Sequence, residues 1–225
     1  MNAPTPSYSV KTIEDLRGPE GRLEALLNTG APDAQYAVLV CHPHPLGGGT
    51  MHNKVVYHTM KAFQSFGLPV LRFNFRGTGL SEGAHDHGRG EQDDVRAALD
   101  WLDNEFAKPI LFAGFSFGSY VGMNVCCSDA RVKGLVALGL PVHAEGRDYR
   151  YDFLSGCGKP KLFINGTLDQ FGPQDKVESA VAAAAEPKKI VWIDGADHFF
   201  TGKLDHVQHA IREWCAAQFV SPALR

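Results

Sequence analysis

The pattern Gly-x-Ser-x-Gly occurs twice in this 225-residue chain, as Gly79-Leu80-Ser81-Glu82-Gly83 and as Gly114-Phe115-Ser116-Phe117-Gly118. A serine becomes a useful nucleophile where a strand turns sharply into a helix and presents the hydroxyl at the helix N-terminus. Free N–H groups and partial positive charge at that terminus can receive an oxyanion. Glycines two residues to either side let strand and helix approach without side-chain clash. Ser116 has this setting, with Ile110-Leu111-Phe112-Ala113 leading in as a strand and Ser119-Tyr120-Val121-Gly122-Met123 leading out as an apolar helix. Ser81 lacks it. Arg76-Gly77-Thr78 before it is already loop, and Gly83-Ala84-His85-Asp86-His87-Gly88 after it has no helical period. Ser116 is the expected nucleophile, and Ser81 a loop residue that caps or turns.

A serine needs a base at neutral pH, usually a histidine oriented by a carboxylate. Where the serine sits on a strand–turn–helix elbow, the chain order is serine, acid, histidine. Of ten histidines, His198, His206 and His209 fall late enough. His206 and His209 lie in the last helical stretch and are expected to face solvent. His198 follows the last strand in Asp194-Gly195-Ala196-Asp197-His198-Phe199-Phe200, a loop able to overhang the sheet, and is the expected base. Asp169, in Asn165-Gly166-Thr167-Leu168-Asp169 after another strand, is the expected acid. Asp194 and Asp197 are its rivals. Asp197 adjoins His198, and neighbouring side chains diverge.

These residues need elements to carry them. Short β-rich runs alternate with longer helical patterns, which implies a mostly parallel sheet covered on both faces. Val10–Ile13 and Arg22–Asn28 read as an antiparallel hairpin at the sheet edge, around the Gly18–Gly21 turn. Strands are expected at Tyr36–Cys41, Pro69–Phe75, Pro109–Ala113, Gly134–Leu140, Lys161–Asn165 and Lys189–Ile193. Helices are expected at Asn53–Phe66, Glu91–Glu105, Phe117–Cys127, Gln174–Ala185 and Leu204–Phe219. In such sheets ligands bind beyond the carboxyl ends of the strands. Nearly all the chemically interesting residues fall there: His42–Leu46, Arg76–Gly79, Phe115–Phe117, Pro141–His143, Gly166–Asp169 and Gly195–His198.

With 44% apolar and 21% charged residues, one domain over residues 1–225, its ordered core about 8–219, can bury most of its unfolded surface. The net charge of −3 leaves no basic footprint for nucleic acid. Five cysteines without a C-x-x-C pair argue against a disulfide framework and for a reducing compartment. Met1–Val10 carries Pro4 and Pro6 and no apolar core, so no signal peptide is read there. No run approaches the ~20 apolar residues of a membrane span. The expectation is a cytoplasmic protein that engages neither membrane nor nucleic acid, with its oligomeric state open. The tail Ser221–Arg225 is expected to be disordered.

Together, Gly114-Phe115-Ser116-Phe117-Gly118, Arg72-Phe73-Asn74-Phe75-Arg76-Gly77-Thr78-Gly79, Asn165-Gly166-Thr167-Leu168-Asp169 and Gly195-Ala196-Asp197-His198-Phe199-Phe200 resemble the α/β-hydrolase superfamily over roughly residues 8 to 219. The segment His42-Pro43-His44-Pro45-Leu46-Gly47-Gly48 is similar to that of small, lid-less members related to dienelactone hydrolases and Xaa-Pro-peptidase-like hydrolases. Many members carry His-Gly where this chain has His42-Pro43. Pro43 has no N–H, so the resemblance implies oxyanion donors at the backbone N–H groups of His44 and Phe117. His42 is then a structural residue holding the loop. Serine at position 116, where a dienelactone hydrolase has cysteine, argues against that activity.

The function implied is hydrolysis of carboxylic esters of small acyl substrates through an acyl-enzyme. Thioester, amide or lactone cleavage is the nearest alternative. A metal-dependent hydrolase using His42/His44, His85/His87 or His206/His209, and a non-catalytic binding protein, are rivals of another class. No metal and no cofactor are expected. The interval Pro141–Pro160 has room for one helix and no lid domain, which implies an open, shallow site. Its Arg147, Tyr149, Arg150, Tyr151, Phe153 and Leu154 either line that site or pack on the sheet. Met51, His52 and Asn53 are further candidates to face it.

Overall fold

The computed structural model of the chain describes residues 8–143, 147 and 149–219. The expectations for the start of the Met1–Val10 segment and for the tail Ser221–Arg225 lie outside the described residues. Eight strands form one sheet. In spatial order they are β1 (Val10–Ile13), β4 (Ala25–Asn28), β6 (Val70–Phe73), β5 (Ala37–Cys41), β7 (Ile110–Phe115), β8 (Val132–Leu138), β9 (Lys161–Gly166) and β10 (Lys188–Ile193). Neighbours from β6 to β10 run parallel, and β4 runs antiparallel to both β1 and β6. β2 (Arg17–Gly18) and β3 (Gly21–Arg22) form a separate two-stranded ribbon.

The central strands read as unbroken apolar runs because both faces are covered. α1 (Lys54–Gln64) and α5 (Leu204–Gln218) pack on one face, where Val56, Met60 and Phe63 meet Val207, Ile211 and Trp214. α2 (Gly90–Phe106), α3 (Phe117–Cys126) and α4 (Gln174–Ala182) pack on the other through Val95, Leu99, Val121, Val125 and Val177. Each such aliphatic or aromatic side chain contributes roughly 1.5–3 kcal/mol by leaving water. Asn53 starts α1 by accepting the Val55 N–H at 2.8 Å. Among the described residues no helix is long and apolar enough to cross a membrane.

The chain runs from β5 outward to β6, then crosses back to β7 on the other side of β5. The strand order therefore reverses between β5 and β7, the place where open α/β sheets leave a crevice at their carboxyl edge. Cys41 pairs with Gly114 in that ladder. The loop leaving β5 and the elbow leaving β7 thus start side by side.

The structure corrects three readings. The run Arg22–Asn28 is not one strand: Gly21–Arg22 pairs in the small ribbon and only Ala25–Asn28 joins the sheet. The Pro69–Phe75 strand stops at Phe73, because the Asn74 N–H goes to the Glu24 carbonyl and the Phe75 N–H goes to the His42 ring. Between Pro141 and Pro160 the described residues hold a 3₁₀ turn, Asp152–Gly156, and no α-helix.

The loop after β6 is tied down by a buried ion pair. Asp94 on α2 accepts the Arg76 backbone N–H at 3.0 Å and its Nη2 at 2.8 Å, with both side chains almost fully buried. Removing one partner of such a pair strands the other charge, which typically costs about 3–5 kcal/mol. Asp94→Ala should therefore lower the unfolding free energy by that amount in urea titration. Loss of under 1 kcal/mol would show that Arg76 finds water or another acceptor.

Candidate active site

Ser116 sits between β7 and α3 with φ 54° and ψ −122°. This left-handed backbone typically costs a non-glycine residue 1–3 kcal/mol and needs over-determined surroundings. It has them. The Ser116 N–H donates to the Leu138 carbonyl at 2.8 Å, and the Ser116 carbonyl accepts from the Ser119 and Tyr120 N–H groups at 2.8 and 3.2 Å. The Ser119 hydroxyl adds a 2.6 Å bond to the same oxygen. Gly114 and Gly118 make room: a Cβ at Gly114 would meet the Gly118 carbonyl oxygen at 2.5 Å, and one at Gly118 would meet the His42 carbonyl oxygen at 2.4 Å.

The three strand-end residues separated widely in sequence converge. His198 Nε2 lies 2.9 Å from Ser116 Oγ, and His198 Nδ1 lies 2.9 Å from both Asp169 oxygens. Asp169 Oδ1 also accepts the N–H groups of Phe171 and Gly172 at 2.8 and 3.1 Å. These partners fix the orientation of the buried carboxylate. Phe171, Phe115 and Phe199 surround the His198 ring at centroid distances of 4.7, 5.0 and 5.3 Å. The rival acids lie elsewhere. Asp197 accepts the Phe199 and Thr201 N–H groups and shapes its own loop, while Asp194 faces the Thr167 hydroxyl at 3.5 Å.

Among the described residues the backbone N–H groups of His44 and Phe117 have no acceptor. The two rings pack at 4.7 Å, so the β5 loop and the start of α3 touch. His42 Nε2 accepts the Phe75 N–H at 3.0 Å, and its Nδ1 faces the Pro43 carbonyl at 2.6 Å. That pairing requires the neutral ring with the proton on Nδ1. It fastens the loop to the end of β6. Ser81 is likewise occupied, donating to the Asn74 carbonyl and accepting the Glu24 N–H.

Of the other histidine pairs, His85 and His87 stand with their rings 5.1 Å apart. His206 and His209 are exposed on α5. His85 places Nδ1 2.7 Å from the buried Glu91 and stacks on His44 and Phe117. Among the described residues, no three His, Cys, Asp or Glu side chains gather as a metal cage.

A cleft of about 110 Å³ opens above Ser116 and His198, walled by His44, Asn53, Arg147, Tyr149, Phe171 and Phe199 among others. Met51 is buried beneath it, and His52 faces outward. Two supports escaped the sequence reading. Asn165 bridges the Leu140 N–H at 3.1 Å and Asp169 Oδ2 at 3.5 Å, and Glu91 holds the Asp86–Gly88 turn under His85. Asn165 already stood at a strand end, which was its available signal. Glu91 read as an ordinary first-turn helix residue.

The sequence profile of the alpha/beta hydrolase domain family matches residues 35–217. An uncharacterized protein of Rickettsia prowazekii (strain Madrid E) is 38% identical over 205 residues, covering 88% of this chain and 85% of its own. An alpha-beta serine hydrolase homologue from Coxiella burnetii superposes with a TM-score of 0.79 at 34% identity, over 95% of this chain and 99% of its own. A serine hydrolase without a lid from Xanthomonas campestris does so with a TM-score of 0.82 at 31% identity, over the whole of both chains.

Burial lowers the His42 pKa from its ordinary 6.5 to about 4, against the opposing hydrogen bond to Pro43 and with a small further push from His44. The unfolded chain therefore takes this proton more readily than the folded one. Stability contributed here is complete above pH 6.5 and declines as pH falls toward about 4, by roughly 3 kcal/mol at most. His44, lowered to about 4 by partial burial and then by Arg147, adds a solvent-screened contribution of the same sign. His42→Gln keeps an acceptor for Phe75 but cannot protonate. Its unfolding free energy should fall by about 2–3 kcal/mol less than that of the parent between these pH values. An unchanged pH profile would assign the acid sensitivity to other groups.

Proposed function

The chain belongs to the alpha/beta hydrolase family, and from that premise we propose that it is a serine hydrolase of carboxylic esters with short acyl groups. Ser116 is the nucleophile, His198 the base and Asp169 the residue that orients and charges the base. The observation that carries this reading is the unbroken chain of 2.9 Å contacts from Ser116 Oγ through the His198 ring to Asp169.

With Asp169 on Nδ1, the neutral His198 ring leaves Nε2 as an acceptor for the Ser116 proton. Ser116 Oγ then attacks the acyl carbon, and the carbonyl oxygen takes up negative charge. The N–H groups of His44 and Phe117, without an acceptor among the described residues, receive that oxygen, each worth about 3–4 kcal/mol of barrier lowering in sites of this kind. His198 returns the proton to the leaving alcohol, and an acyl-enzyme remains. Water, deprotonated by the same ring, releases the acid and restores Ser116. The size of the cleft supports short substrates, since about 110 Å³ is well below the ~300–1,000 Å³ of pockets for drug-sized ligands.

Hydrolysis of p-nitrophenyl acetate and butyrate tests the reading. Ser116→Ala should lose about 10⁴–10⁶ in kcat and all labelling by a fluorophosphonate. Asp169→Asn should lose on the order of 10³–10⁴ in kcat by presenting the wrong tautomer, with little change in KM. Ester turnover by Ser116→Ala at the parental rate would overturn the proposal.

A further inference from the structure

Among the described residues, Arg147 is the side chain with a fixed charge on the cleft wall. Among the described residues lining that cleft there is no aspartate, glutamate or lysine. Nor, among the described residues, does any carboxylate pair with this guanidinium. The guanidinium hydrogen-bonds the Tyr149 side chain, which in turn packs edge-on against Tyr120 of α3 at 5.0 Å. Its charge is felt at His44, where it is the second cause, after burial, of the depressed pKa. A cation is thus held beside the expected oxyanion loop, in a cleft shared with Ser116 and His198, with Tyr149 as its side-chain hydrogen-bond partner among the described residues.

We propose that Arg147 makes this site selective for short esters that carry a carboxylate a few bonds from the scissile carbonyl, such as half-esters of small dicarboxylic acids. This rests on the serine-hydrolase reading above. Guanidinium and carboxylate match as two parallel N–H···O bonds, so the contact orients a substrate as well as attracting it. The same contact rejects a neutral alkyl chain only weakly, since water can replace it. The cleft volume of about 110 Å³ limits the spacer to a few methylenes.

The test compares matched substrates within each variant. The p-nitrophenyl half-ester of glutaric acid is set against p-nitrophenyl valerate, and the butyryl ester of glycolate against ethyl butyrate. The first pair places the carboxylate on the acyl side and the second on the alcohol side. In the parent, kcat/KM for one anionic member should exceed that of its neutral partner by about ten-fold or more. Arg147→Ala should bring this ratio close to one, mainly through KM, and Arg147→Lys should retain part of it. Salt at 1 M should erode the parental ratio. Because each ratio is internal to one preparation, a loss of folded protein cancels. A parental ratio near one in both pairs, or an unchanged ratio in Arg147→Ala, overturns the proposal while leaving the hydrolase reading intact.

Failure of that reading is distinguishable, since neither member of either pair would then be turned over. Calorimetric titration of glutarate still decides in that case. Binding lost in Arg147→Ala supports the carboxylate site, whereas equal binding, no binding, or tighter binding of inorganic phosphate than of glutarate overturns it.

Discussion

At the carboxyl ends of β5 and β7 the backbone of Gly118 passes so close to the β5 chain that a Cβ there would sit 2.4 Å from the His42 carbonyl oxygen and 2.7 Å from that of Cys41. No other residue permits this approach without moving a backbone. It draws the first turn of α3 against the β5 loop. That is why Phe117 and His44 pack together, their rings 4.7 Å apart, although they stand far apart in sequence. The same tightness keeps Ser116 at positive φ. With Gly114 and Gly118 in contact and the Ser116 carbonyl holding the Ser119 and Tyr120 N–H groups, the turn has no freedom to relax. The local strain is offset by helix and ladder bonds on either side, and the hydroxyl is left projecting from the sheet edge.

Charge is placed with equal economy. Asp169 carries the buried carboxyl group of the site, and two backbone N–H groups as well as His198 satisfy it. The neighbouring His42 is kept neutral by its burial, and both its nitrogens are engaged. A protonated ring could no longer accept the Phe75 N–H and would loosen the loop. The site therefore separates two uses of histidine. One bridges Asp169 and Ser116, and the other serves as an uncharged strut.

Much of this was legible in the sequence because it is local or follows from strand order. The apolar run Ile110–Ala113, the flanking glycines and the apolar α3 marked Ser116. The position of Asp169 and His198 after successive strands placed them at one edge of a parallel sheet. What was not legible depended on pairings between distant segments. Arg22–Asn28 alternates well enough to be one strand. Yet Arg22 hydrogen-bonds through its backbone to Glu82, which pulls Gly21–Arg22 into the small ribbon. The shortened β6 follows from the His42 ring taking the Phe75 N–H, a bond that no period in either segment announces. His85 next to His87 has the spacing of a metal pair. Its environment in the fold is Glu91 on one side and two aromatic rings on the other. For the 141–160 interval, length allowed a helix, but Tyr149, Tyr151 and Phe153 gather on Tyr120 instead, and the described residues hold the 3₁₀ turn Asp152–Gly156.

That interval is short, yet it is not a loose cover. Tyr151 donates its hydroxyl to the Pro141 carbonyl at 2.6 Å. The Val142 and His143 N–H groups both donate to the Phe171 carbonyl, at 2.9 and 3.0 Å. Phe171 is also the residue whose N–H holds Asp169 and whose ring lies against His198. The wall that presents Arg147 and Tyr149 to the cleft is therefore fastened to the support of His198 and Asp169. In a site with a separate lid, substrate contacts can be exchanged without touching the acid–base pair. Here the two share Phe171, so a change of shape in the wall is transmitted to the orientation of the His198 ring. Selectivity in such an architecture is best varied by changing the head group at the end of a wall side chain. Insertions that move the backbone between Pro141 and Phe171 would disturb the 2.9 Å contacts that join Ser116, His198 and Asp169.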